Sequence, residues 1–202
     1  MTSALVLASA SPRRQELLRN AGIPFVVQAT NIPETPREGE RPIDCAERLA
    51  HEKALAVFHT RPDDFILGAD TIVVVDDRIL GKPYDDSDAA RMLRLLSGRN
   101  HHVITAVCLM GPAAKTENRK LKSRFEDTRS ETTLVTMIEL TDEDIHRYIA
   151  TREPMDKAGA YAIQGMASRW IPRIEGDYFN VVGLPVSLAF RMLREHGLAS
   201  GN

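Results

Sequence analysis

The sequence predicts a single α/β domain spanning residues 1–202. Short apolar runs rich in β-branched residues, such as residues 71–75, alternate with longer segments whose apolar residues recur at helical spacing, such as residues 44–58. A chain of 202 residues with 43% hydrophobic content is long enough to bury one core. We therefore expect one globular domain in which helices pack on a sheet.

Charge and cysteine content argue against several classes of function. The chain has 26 basic and 28 acidic residues, whereas general nucleic-acid or membrane-surface binding needs a concentrated positive field. Cys45 and Cys108 match no metal-ligand spacing, and two buried, reduced cysteines are the simplest interpretation. The start has no basic segment of a targeting signal, and no apolar run is long enough to span a bilayer. We expect a cytoplasmic protein.

The first strand and helix suggest an anion site. Residues 5–8 form a strand pattern, after which Ser9 and Ser11 lead into a helix, with Ser11 as N-cap. Arg13 and Arg14 then occupy the first helical turn, where the helix dipole favours acids. A bound phosphate or carboxylate would resolve this conflict. The alternative is that both arginines face solvent or pair with acids elsewhere.

A loop acid and a helical lysine follow. Glu34 lies in a loop after a short strand at residues 25–27, and it either reaches a metal or is merely solvated. Residues 44–58 have the spacing of a helix with one buried stripe, and Lys53 falls within that stripe. Lys53 either extends outward into water or points into a cleft as a phosphate ligand.

Residues 66–83 predict a hairpin that brings an acid and a lysine together. Asp70 interrupts an apolar run, which is costly unless the carboxylate is paired or holds a metal. With Val75 opposite Ile79, Lys82 returns opposite Ile72, and a turn shifted by one residue places it opposite Val73; in both registers Lys82 lies close to Asp70. Asp70 and Lys82 then form either a structural ion pair or part of a reactive site.

The next elements are mostly structural. We expect a capped helix at residues 85–96, a strand at 101–109, a long mobile connection at 113–130, a strand at 131–140 and a helix from Thr141. His101 and His102 face opposite sides of their strand, so they cannot readily share a metal.

The last part of the chain offers one more candidate site residue. Residues 153–165 are expected to form a helix that ends at Gln164, whose amide either reads a ligand edge or caps its own backbone. Residues 170–174 and 178–182 suggest a final hairpin, and Pro185 starts a last amphipathic helix.

Three motifs together resemble one family. They are residues 7–14 (LASASPRR), residues 68–71 (GADT) with 80–83 (LGKP), and residues 153–165 (EPMDKAGAYAIQG). Further agreement comes from residues 94–99, 104–107 and 176–185. Each motif alone is weak, but their ordered combination closely resembles the Maf family of nucleotide pyrophosphatases over nearly the whole chain.

The resemblance implies a mixed sheet in two lobes flanked by helices, with a nucleotide cleft between the lobes. It implies hydrolysis of a nucleoside triphosphate between the α and β phosphorus atoms with Mg²⁺ or Mn²⁺. Asp70 corresponds to the catalytic base, Lys53 and Lys82 would neutralise phosphate charge, and Glu34 would join Asp70 on the metal.

The same resemblance bears on substrate and partners. The 153–165 motif looks like the branch that acts on dTTP and UTP, in which Arg13, Thr71 and Gln164 match specificity positions, and Ser9, Ser11 and Arg14 would hold the substrate. The alternatives are the sister branch that hydrolyses 7-methyl-GTP, or a nucleotide-binding regulator of cell division. A homodimer is also implied.

Overall fold

The protein is described by a computed structural model that covers residues 4–112 and 124–198. Its strands are β1 (Leu5–Leu7), β2 (Val26–Val27), β3 (Phe65–Val75), β4 (Arg78–Leu80), β5 (Asn100–Pro112), β6 (Arg124–Thr136) and β7 (Arg173–Glu175). Its helices are α1 (Pro12–Asn20), α2 (Pro42–Phe58), α3 (Asp86–Leu96), α4 (Asp142–Ala150), α5 (Tyr178–Val182) and α6 (Val186–Glu195).

The strands form one open, mixed sheet. Their order is β2-β1-β3-β5-β6-β7, and β4 pairs with the C-terminal part of β3. β1 runs parallel to β2 and β3, whereas β3 pairs antiparallel with β4 and β5, and β5 pairs antiparallel with β6. The predicted α/β class with a mixed sheet flanked by helices is therefore confirmed.

The core lies on both faces of this sheet. One face packs against α2 through residues that include Ala46, Ala50, Ile66 and Ile72. The other face is covered by α1, α3, α4 and α6. Because side chains alternate along β3, its even-numbered residues face α2 and its odd-numbered residues face the second layer. Among the described residues, no helix is long and apolar enough to cross a membrane.

The β3–β4 hairpin is tighter than predicted. Val75 pairs with Arg78 and not with Ile79, because Asp76 and Asp77 alone form the turn, with φ of 47° and 59°. Two left-handed residues match the twist of a two-residue hairpin. The predicted register is therefore wrong, and Lys82 lies beyond the end of β4 at Leu80.

The predicted connection at residues 113–130 is partly wrong. Residues 124–130 belong to β6, which pairs with β5 as far as Arg124↔Pro112, and residues 113–123 lie outside the described part of the chain. The strand also ends at Thr136 instead of residue 140. The charged side chains suit this strand because they form ion pairs along it, for example between Arg129 and Asp127 at 2.7 Å.

Two predictions near the C-terminus are also wrong. The helix expected over residues 153–165 is a series of 3₁₀ turns, broken where Lys157 is extended and Gly159 and Ala160 take positive φ values. The expected last hairpin has only its first half, β7. Asp177 accepts a hydrogen bond from Phe179 N at 2.7 Å and so begins α5 instead of a strand.

Candidate active site

The site is organised around a gap on one edge of β3. β1 pairs with residues 65–67 and β4 with residues 73–75, whereas β5 pairs with the opposite edge throughout. The chain leaves β1 after Leu7 to begin α1, so within the described structure no strand covers residues 68–72 on this edge. Asp70 lies in the gap, which opens the middle of a buried strand to a cleft.

Helix α2 carries Lys53 to Asp70. A Cβ at Gly68 would lie 2.3 Å from the Ala50 carbonyl oxygen, so only glycine allows α2 to approach β3 this closely. Lys53 Nζ then lies 2.6 Å from Asp70 Oδ1, and both side chains are less than 10% exposed. Of the two predictions for Lys53, the side chain that points into a cleft is the one observed.

Glu34 connects the two lysines. Its Oε1 lies 2.6 Å from Lys53 Nζ, and its Oε2 accepts a hydrogen bond from Lys82 Nζ at 3.0 Å. The predicted direct pairing of Asp70 with Lys82 is therefore wrong, since Lys53 occupies that position and Lys82 reaches Asp70 only through Glu34 and Lys53. Partial burial of the Glu34 carboxyl is outweighed by both lysines, which lower its pKa to about 2.

Burial has the opposite effect on Asp70. Loss of hydration raises the pKa of its carboxyl, while the nearby positive charges of Lys53 and Arg14 oppose that rise. A carboxylate with a raised pKa holds a proton more readily than an exposed one. Asp70 is therefore suited to accept a proton from water.

Arg14 is buried and lines the cleft. Its guanidinium donates to the Gly183 carbonyl at 2.8 Å, to Ser9 Oγ at 3.1 Å and to Thr71 Oγ1 at 3.0 Å. It therefore neither faces solvent nor pairs with an acid. Burial lowers the pKa of Arg14, against the attraction of Asp70.

Arg13 and Ser11 have simpler surroundings. Arg13 Nη1 donates to Asp156 Oδ2 at 3.1 Å, so for this arginine the predicted alternative of pairing with an acid is observed. Ser11 caps α1, as predicted, by accepting a hydrogen bond from the backbone of Arg14. Both residues still line the cleft.

Gln164 lines the same cleft. It is exposed in a tight turn, between buried Ile163 and half-buried Gly165. Its side-chain amide makes no hydrogen bond within the described residues, so the alternative of capping its own backbone is not observed there. The amide is available to a ligand.

One cleft of about 900 Å³ contains every residue that the sequence analysis selected. They are Ser9, Ser11, Arg13, Arg14, Glu34, Lys53, Asp70, Thr71, Lys82 and Gln164. Charged side chains and one uncharged amide therefore line the same cleft.

Comparison with known proteins identifies the family. The family described as Maf-like protein matches residues 4–196. The chain belongs to the Maf family. A dTTP/UTP pyrophosphatase of Koribacter versatilis is 55% identical over 96% of this chain and 95% of the relative. Proteins with the same name from Geobacillus sp. and Symbiobacterium thermophilum are each 48% identical over 96% of this chain, and over 98% and 94% of their own lengths.

Two buried residues of this Maf-family chain that the sequence did not single out, Asn180 and Thr105, support the cleft. Asn180 Oδ1 accepts from Thr105 N at 3.1 Å, and its Nδ2 donates to Val103 O at 2.9 Å. Thr105 Oγ1 in turn lies 3.0 Å from Thr71 Oγ1. The one available signal in the sequence was the amide side chain of Asn180, which stands between aromatic and β-branched residues that are usually buried.

The described residues contain no group of three or more histidine, cysteine or acidic side chains arranged to hold a metal. Asp70 and Glu34 nevertheless converge on one point, since both carboxylates lie 2.6 Å from Lys53 Nζ. A pair of carboxylates completed by substrate phosphates and water is a donor set that suits Mg²⁺ or Mn²⁺. The residues present therefore fit such an ion.

Proposed function

We propose that this Maf-family chain hydrolyses dTTP and UTP to the nucleoside monophosphate and pyrophosphate. The observation that carries the proposal is the charge network in the cleft, in which Lys53 contacts both Asp70 and Glu34, and Glu34 also contacts Lys82. Support for the substrates comes from the named relatives, which are called dTTP/UTP pyrophosphatases. Those names do not favour the 7-methyl-GTP alternative.

The basic residues would hold the triphosphate. Lys53 is almost fully buried beside Asp70, while Lys82 is more than half exposed. A triphosphate would compete with Glu34 for both ammonium groups and so replace one anion by another. Arg14 is fixed by Ser9 and Thr71 and would add positive potential without moving.

Asp70 would act as the general base. It takes a proton from the attacking water, whose oxygen bonds to phosphorus as the anhydride bond between the α and β phosphorus atoms breaks, and the products are the nucleoside monophosphate and pyrophosphate. Burial raises the pKa of Asp70 and so favours proton transfer to it. Its position between a lysine and an open cleft keeps the carboxylate oriented toward a bound phosphate chain.

Asp70 and Glu34 would also hold a divalent metal ion. When bound, Mg²⁺ or Mn²⁺ would neutralise charge on the phosphate oxygens. The two carboxylates would then exchange part of their contact with Lys53 for contact with the ion, which leaves Lys53 free for a phosphate oxygen.

Gln164 would read the base. A side-chain amide offers a donor and an acceptor, which match the adjacent carbonyl and N3–H of uracil or thymine. Cytosine has an acceptor at N3 and does not complete this pair. The Gln164→Ala variant should therefore lose discrimination of UTP from CTP, by about tenfold in the ratio of kcat/KM, while its fold and metal requirement stay unchanged.

The decisive experiment is a screen of triphosphates with the purified protein and added Mn²⁺ or Mg²⁺, including 7-methyl-GTP and bases with other methyl groups. We expect pyrophosphate and monophosphate from dTTP and UTP, and a loss of about 10²–10⁴-fold in kcat for Asp70→Asn. Equal turnover by Asp70→Asn would contradict the base. Tight nucleotide binding without pyrophosphate release would favour the alternative of a regulator of cell division.

A cytoplasmic location, the absence of nucleic-acid partners and a homodimer stay predictions from sequence and family resemblance. Sedimentation of the purified protein at several concentrations checks the dimer.

A further inference from the structure

The turn that carries Gln164 is held from outside the cleft. Ala162 N donates to Tyr148 Oη at 3.0 Å, and Tyr148 Oη donates to Glu153 Oε1 at 2.7 Å. The same carboxylate accepts from Met166 N, at 3.1 Å and 3.3 Å to its two oxygens. Tyr148 and Glu153, here called the Tyr148–Glu153 clamp, therefore fix the backbone on both sides of Gln164.

Close packing makes the clamp rigid. Tyr148 is fully buried, and its ring packs edge-on against Trp170 with 5.3 Å between centroids. A Cβ at Gly165 would lie 2.2 Å from Glu153 Oε1, so this glycine lets the carboxylate lie directly against the turn. Burial and the bond to Glu153 raise the pKa of the Tyr148 hydroxyl, which therefore stays a donor.

The clamp lies outside the cleft itself. Neither Tyr148 nor Glu153 lines it, whereas Gln164 does. Ile163 is buried, and a hydrogen bond from Gly165 N to Ala162 O at 3.1 Å closes the turn. The side chain of Gln164 therefore projects from a short segment whose flanking amides are both fixed.

We propose that Tyr148 and Glu153 are positioning residues that determine base selectivity by fixing Gln164. This inference rests on the proposed base-reading role of Gln164. An amide distinguishes uracil from cytosine only while its donor and acceptor are held in place, because a loose or rotated amide can pair with either edge. Loss of the clamp should therefore reduce selectivity more than turnover.

The first test uses Tyr148→Phe, which removes one hydroxyl and keeps the ring against Trp170. We expect amide hydrogen exchange at Ala162 to accelerate at least about tenfold, because its N–H loses the hydrogen bond to Tyr148 Oη and the turn opens more easily. We expect the UTP-to-CTP ratio of kcat/KM to fall about fivefold to tenfold, with kcat for UTP within about twofold of the parent. Tyr178→Phe is the matched control, because that side chain is 39% exposed and lies outside the cleft lining.

Glu153 variants extend the series. Glu153→Ala should accelerate exchange at Met166 and reduce selectivity at least as much as Tyr148→Phe. Glu153→Gln keeps an acceptor oxygen, so its exchange rates and selectivity should lie between those of the parent and Glu153→Ala. If Glu153→Ala does not fold, Tyr148→Phe decides the question alone.

A double-variant cycle separates positioning from general stability. If the clamp acts through Gln164, Tyr148→Phe combined with Gln164→Ala should lose no more selectivity than Gln164→Ala alone. Additive losses, or unchanged selectivity in a folded Tyr148→Phe variant of an active parent, would overturn the inference. A parent that releases no pyrophosphate from any triphosphate contradicts the proposed function instead, and accelerated exchange would then show only a structural clamp.

Discussion

Two parts of the cleft lining, here called the charged end and the loop end, are built in different ways. The charged end consists of Arg14, Glu34, Lys53, Asp70 and Lys82, and three of these side chains extend from α1, α2 and β3. The loop end, residues 153–166, consists of 3₁₀ turns whose backbone is held by buried side chains. Ion pairs dominate the first end, whereas hydrogen bonds to hydroxyl groups and backbone amides dominate the second.

This difference separates rate from selectivity. Regular elements carry Arg14, Lys53 and Asp70 of the charged end, so changing one of these side chains removes electrostatic stabilisation and leaves the frame in place. The loop end has no helix or strand ladder to define it, so a single lost hydrogen bond changes its shape. We expect the largest effects on turnover from the charged end and smaller, more selective effects from the loop end.

The largest effect is expected for Lys53→Met. Methionine keeps most of the side-chain volume but leaves Asp70 and Glu34 without the ammonium group that lies 2.6 Å from each. We expect kcat to fall by about 10²–10³-fold, as for loss of one preorganised charge donor. Lys82→Met, whose parent side chain is 58% exposed, should lose less. Equal losses for both variants would remove the distinction between buried and exposed lysine.

Gly68→Ala tests whether close packing creates the charged end. The new methyl group would meet the Ala50 carbonyl at 2.3 Å and Ala54 N at 2.8 Å, and neither backbone atom can move alone. We expect a loss of about 2–3 kcal/mol in the free energy of unfolding, and lower activity because α2 carries Lys53. Gly81→Ala meets nothing within 4 Å and is the control for stability. An unchanged urea midpoint for Gly68→Ala would contradict this explanation.

The charged end was largely predictable because period and residue type define it. A lysine in a helical apolar stripe and an aspartate in a buried strand pattern each identify a side chain near the core. Which lysine contacts Asp70 was not predictable. That contact depends on the close approach of α2 to β3 that Gly68 allows. It also depends on the turn formed by left-handed Asp76 and Asp77, which lacks the glycine that usually signals such a turn.

The loop end was less predictable because 3₁₀ turns have no sustained period. The spacing of Asp156, Ala160 and Gln164 resembles a helix face, yet Gly159 and Ala160 take positive φ values that end any helix. A similar failure occurred at residues 178–182, where β-branched valines indicated a strand. The Asp177 cap and tertiary contacts of buried Asn180 produce a helix there.

A moderate effect is expected at His101, which supports the loop end through a 2.8 Å contact between its Nε2 and Tyr161 Oη. Burial, with a smaller contribution from His102, lowers its pKa to about 4 from 6.5. The His101 imidazole therefore binds a proton more readily in the unfolded chain than in the folded protein. Its contribution to stability is full above pH 6.5 and declines as the pH falls toward 4. The decline amounts to about 2 kcal/mol at pH 5.

His101→Gln retains a hydrogen-bonding group without this titration. We expect the difference in urea midpoint between pH 7.5 and pH 5 to shrink in that variant. His102→Gln is the control, since His102 is exposed on the opposite face of β5. If the pH dependence disappears in His102→Gln and persists in His101→Gln, the titrating group is His102 and the prediction is wrong.

The smallest effect is expected at the ion pair between Arg13 of α1 and Asp156 of the loop end. Its atoms lie 3.1 Å apart, but the side chains are 29% and 64% exposed, so its contribution to stability should be below about 1 kcal/mol. If Arg13 binds the substrate, a nucleotide must compete with Asp156 for the guanidinium. Asp156→Asn should then lower KM for UTP about twofold to fivefold at constant kcat, because the competing charge is gone. The advantage should decrease in high salt, which screens the exposed pair in the parent as well. A higher KM in Asp156→Asn would instead mean that the ion pair orients Arg13 for binding, so that the loop end positions a substrate-binding side chain of α1.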